Sequence, residues 1–310
     1  MQPDDRNRNT LRTRIYIDGY NLYYGCLKNT TYKWLDLEKL FFGKILPSIM
    51  IEEGGIKYSS SPAEKCLKYF TATIIEKAAK SLDSVSSQAS YKRALSIHSE
   101  ECIEIIQGYY SLTKAAARII DAENPEKYPR DCHQLQAWKL EEKQTDVNIA
   151  MHAYHDAIHD NVDHIVFVTN DTDIVASLNF IRNYTDKKIG LITPSLENNR
   201  QTNNYLSDLA HWVRRDIKED ELRDSQLPLV IPSRRKPVTK PDSWYPNSDI
   251  FVQILDTLKS TKGSRSKAFQ WLNQERGELD GQIPLEMIEQ RSGAEQVLHF
   301  VKAEYFSMKS

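Results

Sequence analysis

Short β-prone apolar segments alternate with segments of helical periodicity up to about residue 220. Strands are predicted at residues 14–17, 67–75, 164–169 and 188–192. Helices are predicted at residues 89–106, 112–121, 145–158 and 174–183. Strands that are separated by helices usually pair side by side in a parallel sheet, so an α/β fold with helices flanking a parallel sheet is expected.

The composition narrows the class of protein without naming a function. The chain has 310 residues, of which 40% are hydrophobic and 27% are charged, as in ordinary globular proteins. No apolar stretch is long enough to span a bilayer, and the segment MQPDDRNRNT lacks the apolar run of a secretory signal. The scattered Cys26, Cys66, Cys102 and Cys132 predict no disulfide framework, so a cytoplasmic location is expected.

The sequence changes character near residue 226. Five prolines interrupt any regular element there: Pro228, Pro232, Pro237, Pro241 and Pro246. Helical patterns return at residues 248–259, 266–273 and 293–306. The predicted domains are therefore residues 1–225, a Pro-rich linker at 226–247 and a small all-α domain at 248–310.

Carboxylates follow two of the predicted strands. Asp18 comes directly after the first strand in IYIDGYNLYY, and Asp171 and Asp173 follow the strand in VFVTNDTDIV. Asp146 begins a predicted helix in EEKQTDVNIAMHAY. Because the carboxyl ends of parallel strands meet at one edge of a sheet, these four side chains are expected to face the same rim.

Four carboxylates at one rim favour a cation. Two carboxylates about 4 Å apart repel each other by roughly 4 kcal/mol at an effective dielectric constant near 20. Oxygen ligands without nearby His or Cys point to Mg²⁺ or Mn²⁺. Such a site can activate water and stabilise charge on a phosphate, so phosphodiester hydrolysis is the expected reaction.

Each acidic segment also has a simpler interpretation. Asp18 before Gly19 suits a turn, and Asp171 and Asp173 suit the start of a helix, where the helix dipole favours acids. Asp146 follows Thr145, which is a typical N-cap residue. These alternatives stay open from the residues alone.

The chain resembles the NYN domains of the PIN-like nuclease superfold over residues 11–220. The resemblance rests on IYIDGYNLYY, KQTDVNIAMHAY and VFVTNDTDIVASLNFIR. It implies a PIN-like parallel sheet and a divalent-metal ribonuclease. Two positions depart from the family pattern, Asn170 and Ile174, and neither removes a carboxylate.

The resemblance also assigns roles to individual residues. The implied metal ligands and catalytic acids are Asp18, Asp146, Asp171 and Asp173, with Asn21 orienting Asp18 or a metal-bound water. Lys143, Thr169 and Asn170 would bind substrate or shape the rim, although an exposed helix-start lysine explains Lys143 equally well. Tyr20, Tyr23 and Tyr24 suit stacking on bases, or core packing.

The last sixty or so residues resemble the C-terminal domain of MbcA/ParS/Xre-type antitoxins. The resemblance rests on residues within SKAFQWLNQERGELDGQIPLEMIEQRSGAEQVLHFVKAEYF. It implies self-association or binding of a partner protein, while a stabilising cap is the simpler alternative.

Two functions follow as hypotheses. The first is a Mg²⁺- or Mn²⁺-dependent endoribonuclease with RNA as its substrate, in a stress-response, defence or toxin–antitoxin setting. The second is a non-catalytic regulator that binds RNA or protein through the same scaffold, with the C-terminal domain as its association module. The set of four acids favours the enzyme.

Overall fold

The chain divides into two compact units. The structure, a computed structural model, describes residues 9–79, 81–196, 200–234 and 236–307. Unit 1 comprises Met1–Lys28 and Leu35–Leu227, and unit 2 comprises Asn29–Trp34 and Pro228–Ser310. Most of the N-terminal segment that was predicted to lack a secretory signal lies outside the described residues.

Unit 1 is built on one large sheet. Its strands within the described residues are β1 (Thr10–Asp18), β2 (Ile51–Glu53), β3 (Ile56–Thr73), β4 (Ile103–Arg118), β5 (Gln134–Lys143), β6 (His164–Val168), β7 (Lys188–Ile192) and β8 (Trp212–Arg214). Their order is β5-β4-β3-β1-β6-β7-β8, with β2 beside β3. The β4–β5 and β2–β3 pairs are antiparallel, and the others are parallel. The predicted α/β class with a parallel-dominated sheet is confirmed, while the finer PIN-like assignment stays a prediction.

Helices connect and cover the strands of unit 1. They are α1 (Gly19–Leu22), α2 (Leu37–Leu40), α3 (Ser84–His98), α4 (Thr145–Ile158), α5 (Val175–Tyr184), α6 (Asn204–Ser207) and α7 (Glu219–Asp224). Single turns of π-helix extend α1 and α2, at Tyr23–Leu27 and Phe41–Ile45. The bounds of α4 agree with the predicted helix, and α5 is displaced from its prediction by one residue.

The centre of the sheet is buried on both faces, as expected of a parallel strand. Tyr16 of β1 packs with Phe70 and Phe167 in the cluster that also contains the inner faces of α4 and α5. Because side chains alternate along a strand, Ile15 and Ile17 point to the opposite face, and both are fully buried. This rigid centre fixes the position of Asp18 at the end of β1.

Two helix predictions are wrong in this unit. The predicted helix at residues 112–121 is mostly part of β4, and its Ala115 pairs with Ala137 of β5. The predicted helix at 89–106 ends at His98, and Ile103 begins a strand that pairs with β3 at Leu67. In both cases pairing with a distant strand overrides local helix propensity.

A buried ionic network ties α4 to the sheet. The Asp156 carboxylate lies 2.7 Å from Arg14 Nη1 and 2.8 Å from Lys68 Nζ, and it accepts a 2.5 Å hydrogen bond from the Tyr16 hydroxyl. Burial opposes its ionisation, but the hydrogen bonds from Lys68, Tyr16 and Arg14 outweigh burial and hold the pKa of Asp156 well below its usual value. The network therefore holds a charged carboxylate inside the fold.

A second buried polar group is a neutral histidine. His164 at the start of β6 is fully buried; the Trp212 indole donates to its Nε2 over 3.0 Å, and Thr13 Oγ1 lies 3.0 Å from its Nδ1. Since Thr13 donates its own proton to the Leu11 carbonyl, His164 carries its proton on Nδ1. Burial lowers the pKa of His164 to about 3.

This depressed pKa predicts a stability loss in mild acid. Below pH 6.5 the unfolded state binds a proton at this histidine that the folded state does not bind until about pH 3. Between pH 7 and pH 5 we expect the wild type to lose about 2 kcal/mol more unfolding free energy than His164→Gln. Urea unfolding of both proteins at the two pH values measures the difference, and equal losses would contradict the assignment.

Unit 2 is a helical unit with one small ribbon. Its elements are β9 (Val230–Ile231), β10 (Val238–Thr239), α8 (Ser248–Lys262), α9 (Arg265–Leu272), α10 (Pro284–Met287) and α11 (Arg291–Ser307). Residues such as Phe251, Trp271, Leu272 and Val297 form its core, in which Trp271 stacks on Phe300 with ring centroids 6.1 Å apart.

The segment predicted as a linker takes part in this unit. Ile231 and Val238 pair in the β9–β10 ribbon, and both are buried. Tyr245 stacks on Phe251 with ring centroids 4.1 Å apart. The prolines thus interrupt regular elements, as expected, but the segment contributes apolar side chains to the core of unit 2.

Candidate active site

Asp18 is fixed at the end of β1 by three hydrogen bonds. Its carboxylate accepts from the Asn21 backbone N–H at 2.9 Å, from the Asn21 amide at 2.6 Å and from Thr169 Oγ1 at 3.0 Å. The first of these bonds caps α1, which begins at Gly19. Burial is the main cause that raises the pKa of Asp18. The Asp18 carboxylate therefore mainly stabilises the turn that leads from β1 into α1.

The loop after β6 forms the next part of the rim. Thr169 Oγ1 also accepts from the Asp171 backbone N–H at 3.1 Å, and Asp171 Oδ1 accepts from the Asp173 N–H at 3.0 Å. The Asn170 side chain donates to the Gln201 carbonyl and accepts from the Asn203 N–H. Thr169 and Asn170 thus hold the loop in place and leave the Asp171 carboxylate at the rim.

Asp146 is presented by the first turn of α4. The helix begins after Gln144, whose φ of 73° reverses the chain direction. Gly108 of β4 allows this start to lie close to the strand, because a Cβ there would meet the Lys143 carbonyl oxygen at 2.5 Å. Burial, followed by the carboxylates of Asp18, Asp171, Asp173 and Glu142, raises the pKa of Asp146 to about 6.

The β4–β5 hairpin adds two residues that sequence reasoning missed. Glu142 accepts a 2.6 Å hydrogen bond from Thr145 Oγ1 and a 3.3 Å hydrogen bond from the Tyr110 hydroxyl. The Glu142 carboxylate raises the pKa of Tyr110, although burial of Tyr110 is the larger cause. The positions of Glu142 and Tyr110 could not be predicted from the sequence, because part of the hairpin was predicted as a helix and the rest was left unassigned.

An aromatic wall faces these acids. The Tyr20 and Tyr24 rings lie 4.4 Å apart, and Tyr23 meets Tyr24 edge to face at 5.2 Å. All three rings are partly exposed, with 38% to 45% of their surface open to solvent. Lys28 Nζ lies 4.9 Å from the centre of the Tyr24 ring. The rings therefore offer partly open aromatic faces, which suit stacking of a planar ligand.

Acids and rings enclose a cavity of about 340 Å³. Its polar corner contains Asp18, Asn21, Asp146, Asp171 and Glu142. Its aromatic side is formed by Tyr20, Tyr23, Tyr24 and Tyr110, and its apolar end by residues that include Ile74, Ile75 and Leu140. A cavity of this size, apolar with a few converging polar groups, has the character of a small-molecule site.

The predicted site residues are brought together only in part. Asp18, Asn21, Asp146 and Asp171 line the cavity, while Asp173 does not line it and acts on Asp146 through its charge. Thr169 and Asn170 support the rim from behind. Lys143 forms an ion pair with Glu141 at 3.2 Å and does not line the cavity.

The aromatic wall depends on one close backbone approach. A Cβ at Gly25 would lie 1.9 Å from the Pro194 carbonyl oxygen. We therefore expect Gly25→Ala to destabilise unit 1 by about 1–3 kcal/mol and to displace Tyr23 and Tyr24. Gly43→Ala is the matched control, since its Cβ meets no atom closer than 3.7 Å. Thermal unfolding of both variants tests this, and equal melting temperatures would contradict it.

Comparisons with known proteins give one strong sequence relative. The chain is 50% identical over 293 residues to the 6-hydroxy-3-succinoylpyridine 3-monooxygenase HspA of Pseudomonas putida (strain DSM 28022 / S16), and the match covers 94% of each chain. Among solved structures, a protein of unknown function from Vibrio parahaemolyticus RIMD 2210633 matches with a TM-score of 0.39 and 17% identity, over 71% of this chain and 98% of that chain. No family model matches, so the resemblances to NYN and antitoxin domains stay predictions.

The sequence relative overturns the predicted function. A monooxygenase is an oxidoreductase, so the prediction of a metal-dependent ribonuclease that hydrolyses RNA is wrong, and with it the prediction of Mg²⁺ or Mn²⁺ as cofactor. Within the described residues, no group of three or more His, Cys, Asp or Glu side chains is placed to hold a metal ion. In the same part of the chain, no helix is long and apolar enough to cross a membrane.

Proposed function

The chain belongs to the family of the 6-hydroxy-3-succinoylpyridine 3-monooxygenase, and from this premise we propose that it is a monooxygenase that hydroxylates a 6-hydroxypyridine with an acidic acyl side chain. The observation that carries the proposal is the 50% identity over 94% of both chains. We assign the aromatic and acidic cavity of unit 1 as the substrate site.

The cavity suits a hydroxypyridine ring. Tyr20 and Tyr24 pack against each other, so a planar ring would stack on the outer, partly exposed face of one of them, and a favourable aromatic pair contributes roughly 1 kcal/mol. The polar corner then meets the ring hydroxyl and ring nitrogen. Two cations lie close to this wall and suit the acyl carboxylate: Lys28, above the Tyr24 ring, and Arg200, whose Nη1 lies 3.4 Å from Asn21 Oδ1.

Asp146 is the acid that we assign to proton transfer. Asp18, Asp171 and Glu142 each accept hydrogen bonds from the protein. No hydrogen bond to the Asp146 carboxylate is found within the described residues. Its pKa of about 6 lies close to neutral pH, where a general base works best.

Removal of the proton from the ring hydroxyl has a direct electronic effect. The resulting oxide donates electron density to the ring carbon opposite to it, which is C3 when the hydroxyl is on C6. In 6-hydroxy-3-succinoylpyridine this carbon also carries the acyl chain, so attack by an electrophilic oxygen species forms a C3–O bond, breaks the C3–acyl bond and releases the acyl chain as a separate product. Asp146 would thus prepare the ring for oxygen insertion without touching oxygen itself.

The electrons for oxygen insertion need a donor. A monooxygenase uses O₂ and two electrons, which a flavin or a nicotinamide cofactor commonly supplies. The phosphates of such cofactors are usually held by a glycine-rich turn at the end of a first strand. Here that turn contains the buried Asp18, and a Cβ at Gly19 would meet the Phe70 carbonyl oxygen at 2.7 Å. The acidic corner therefore does not fit a pyrophosphate, and the cavity is assigned to the ring substrate.

Isotope labelling tests the proposed activity. The purified full-length protein is incubated with 6-hydroxy-3-succinoylpyridine under ¹⁸O₂, with NADH or NADPH and with or without added flavin. We expect one ¹⁸O atom in the ring product. Asp208→Asn is the control variant, because Asp208 is exposed and does not line the cavity. Absence of labelled product with every donor would contradict the proposal.

Two further assignments rest on sequence alone. We propose a cytoplasmic location, on the scattered cysteines. We also propose that residues 248–310 take part in association with another protein, on the resemblance to the antitoxin domain.

A further inference from the structure

The outer face of α4 is apolar over its whole length. Val147, Met151, Tyr154 and Ile158 recur at intervals of four, three and four residues, which places them in one stripe. The core-facing side of the same helix is formed by Ile149 and Ala153 and is fully buried. The stripe therefore lies on the side that faces away from the sheet.

Helix α5 extends the same surface. Ser177 Oγ donates to the Ala150 carbonyl over 3.1 Å, which aligns the two helices side by side. Phe180 then lies beside Tyr154 with ring centroids 5.9 Å apart, and it stacks on Tyr184 at 5.6 Å. We call the surface formed by these six side chains, from Val147 to Ile158 on α4 and at Phe180 and Tyr184 on α5, the α4–α5 face.

The α4–α5 face is open to solvent. Val147 is 64% exposed, Met151 61%, Phe180 52% and Tyr184 71%. With roughly 100 Å² of open area for each of the five exposed side chains, the face lies in the upper half of the 300–600 Å² expected for the largest patch on a monomer. An interface in a stable complex buries about 800 Å² on each partner, so this face and its border supply most of one interface.

Charge indicates which partner fits. The chain as a whole is 27% charged. Yet α5 contains Arg182 as its single charged residue, and the charges of α4 are Asp146 in the cavity and the buried Asp156. The border of the face carries neutral Asn148, Asn179 and Asn183. A surface with almost no charge of its own can meet an identical surface without like-charge repulsion.

We propose that the α4–α5 face is a two-fold interface between two copies of this chain. A two-fold axis through the face packs α4 and α5 of one copy on α4 and α5 of its partner as a four-helix layer. Because the contact is isologous, both copies bury the same apolar side chains of the face. Asp146 directly precedes Val147 of this face, in the first turn of α4. Dimer formation would therefore restrict the motion of the turn that carries Asp146.

Sedimentation equilibrium of the full-length protein tests the interface. We expect a dimer at micromolar concentration for the wild type and at least a hundredfold weaker association for Met151→Glu, since two unpaired carboxylates would be buried per dimer. Leu82→Glu is the matched control, because Leu82 is fully exposed outside the face. Its association should equal that of the wild type. The milder pair Met151→Ala and Tyr184→Ala should also weaken association, and unchanged melting curves exclude unfolding as the cause.

Two results would overturn the interface. One is a wild type that stays monomeric up to hundreds of micromolar, in which case another protein would be the occupant of the face. The other is a dimer that Met151→Glu and the alanine pair leave intact, which would place self-association elsewhere, for example in residues 248–310.

Discussion

Asp146→Asn is expected to lower kcat for ring hydroxylation by about 10²- to 10⁴-fold, the usual contribution of a general base. Asparagine keeps the shape of the side chain but cannot accept the proton of the ring hydroxyl. Substrate affinity should change much less, because the tyrosine wall is untouched. Asp208→Asn is the matched control: Asp208 is exposed and does not line the cavity. Steady-state kinetics of the three proteins measure the effect.

The pH profile separates a base from a merely structural acid. Since the pKa of Asp146 is raised to about 6, its carboxylate is ionised above this pH and protonated below it. We expect kcat/KM of the wild type to fall about tenfold per pH unit below pH 6 and to level off above it. Asp146→Asn should lack this acid limb. Should the variant retain both the rate and the limb, Asp146 would not be the base.

Asp156→Asn is expected to destabilise unit 1 by about 3–5 kcal/mol, because it leaves Arg14 and Lys68 charged and without their carboxylate in a buried place. Equilibrium unfolding in urea at pH 7 measures the loss. The effect concerns the fold, so residual folded Asp156→Asn should keep the substrate affinity of the wild type.

A compensating variant provides the control for this prediction. The triple change Arg14→Met, Lys68→Met and Asp156→Leu removes all three charges together, and we expect it to recover most of the lost stability. A triple variant as unstable as Asp156→Asn would show that packing, and not the unpaired charges, is responsible. Its melting transition distinguishes the two causes.

Local sequence signals were sufficient to predict the secondary structure at the centre of unit 1, but not the strands at the edge of its sheet. The strand that ends at Asp18 is bounded by a turn residue, and α4 has a helical pattern, so both were predicted. The interpretation of Thr145 as the N-cap was wrong, because the N-cap of α4 is Gln144 and Thr145 is the first helical residue. The β4–β5 hairpin has no such signals, since Ala115, Ala116 and Ala117 favour a helix. Its strands form through pairing with each other and with β3, which no local pattern reveals.

The same limit applies to the candidate site. Asp18, Asp146 and Asp171 were predicted to share a rim, and they do line one cavity. Glu142 and Tyr110 could not be placed, because their position depends on the hairpin. The predicted chemistry was wrong since carboxylates at strand ends serve many reactions. The tyrosines on the aromatic side of the cavity were interpreted as stacking on nucleic-acid bases or as core packing, and not as binding a small ring substrate.

The discontinuity of unit 2 has a consequence for synthesis on the ribosome. Trp34 is fully buried, donates to the Pro228 carbonyl over 2.9 Å and meets the Trp244 ring at 6.1 Å. At about 5–20 residues per second, Trp34 leaves the ribosome on the order of ten to forty seconds before these partners exist. During that interval the apolar Trp34 indole remains exposed to solvent unless a chaperone binds it. A nascent chain stalled before Pro228 would therefore be the form most prone to aggregation.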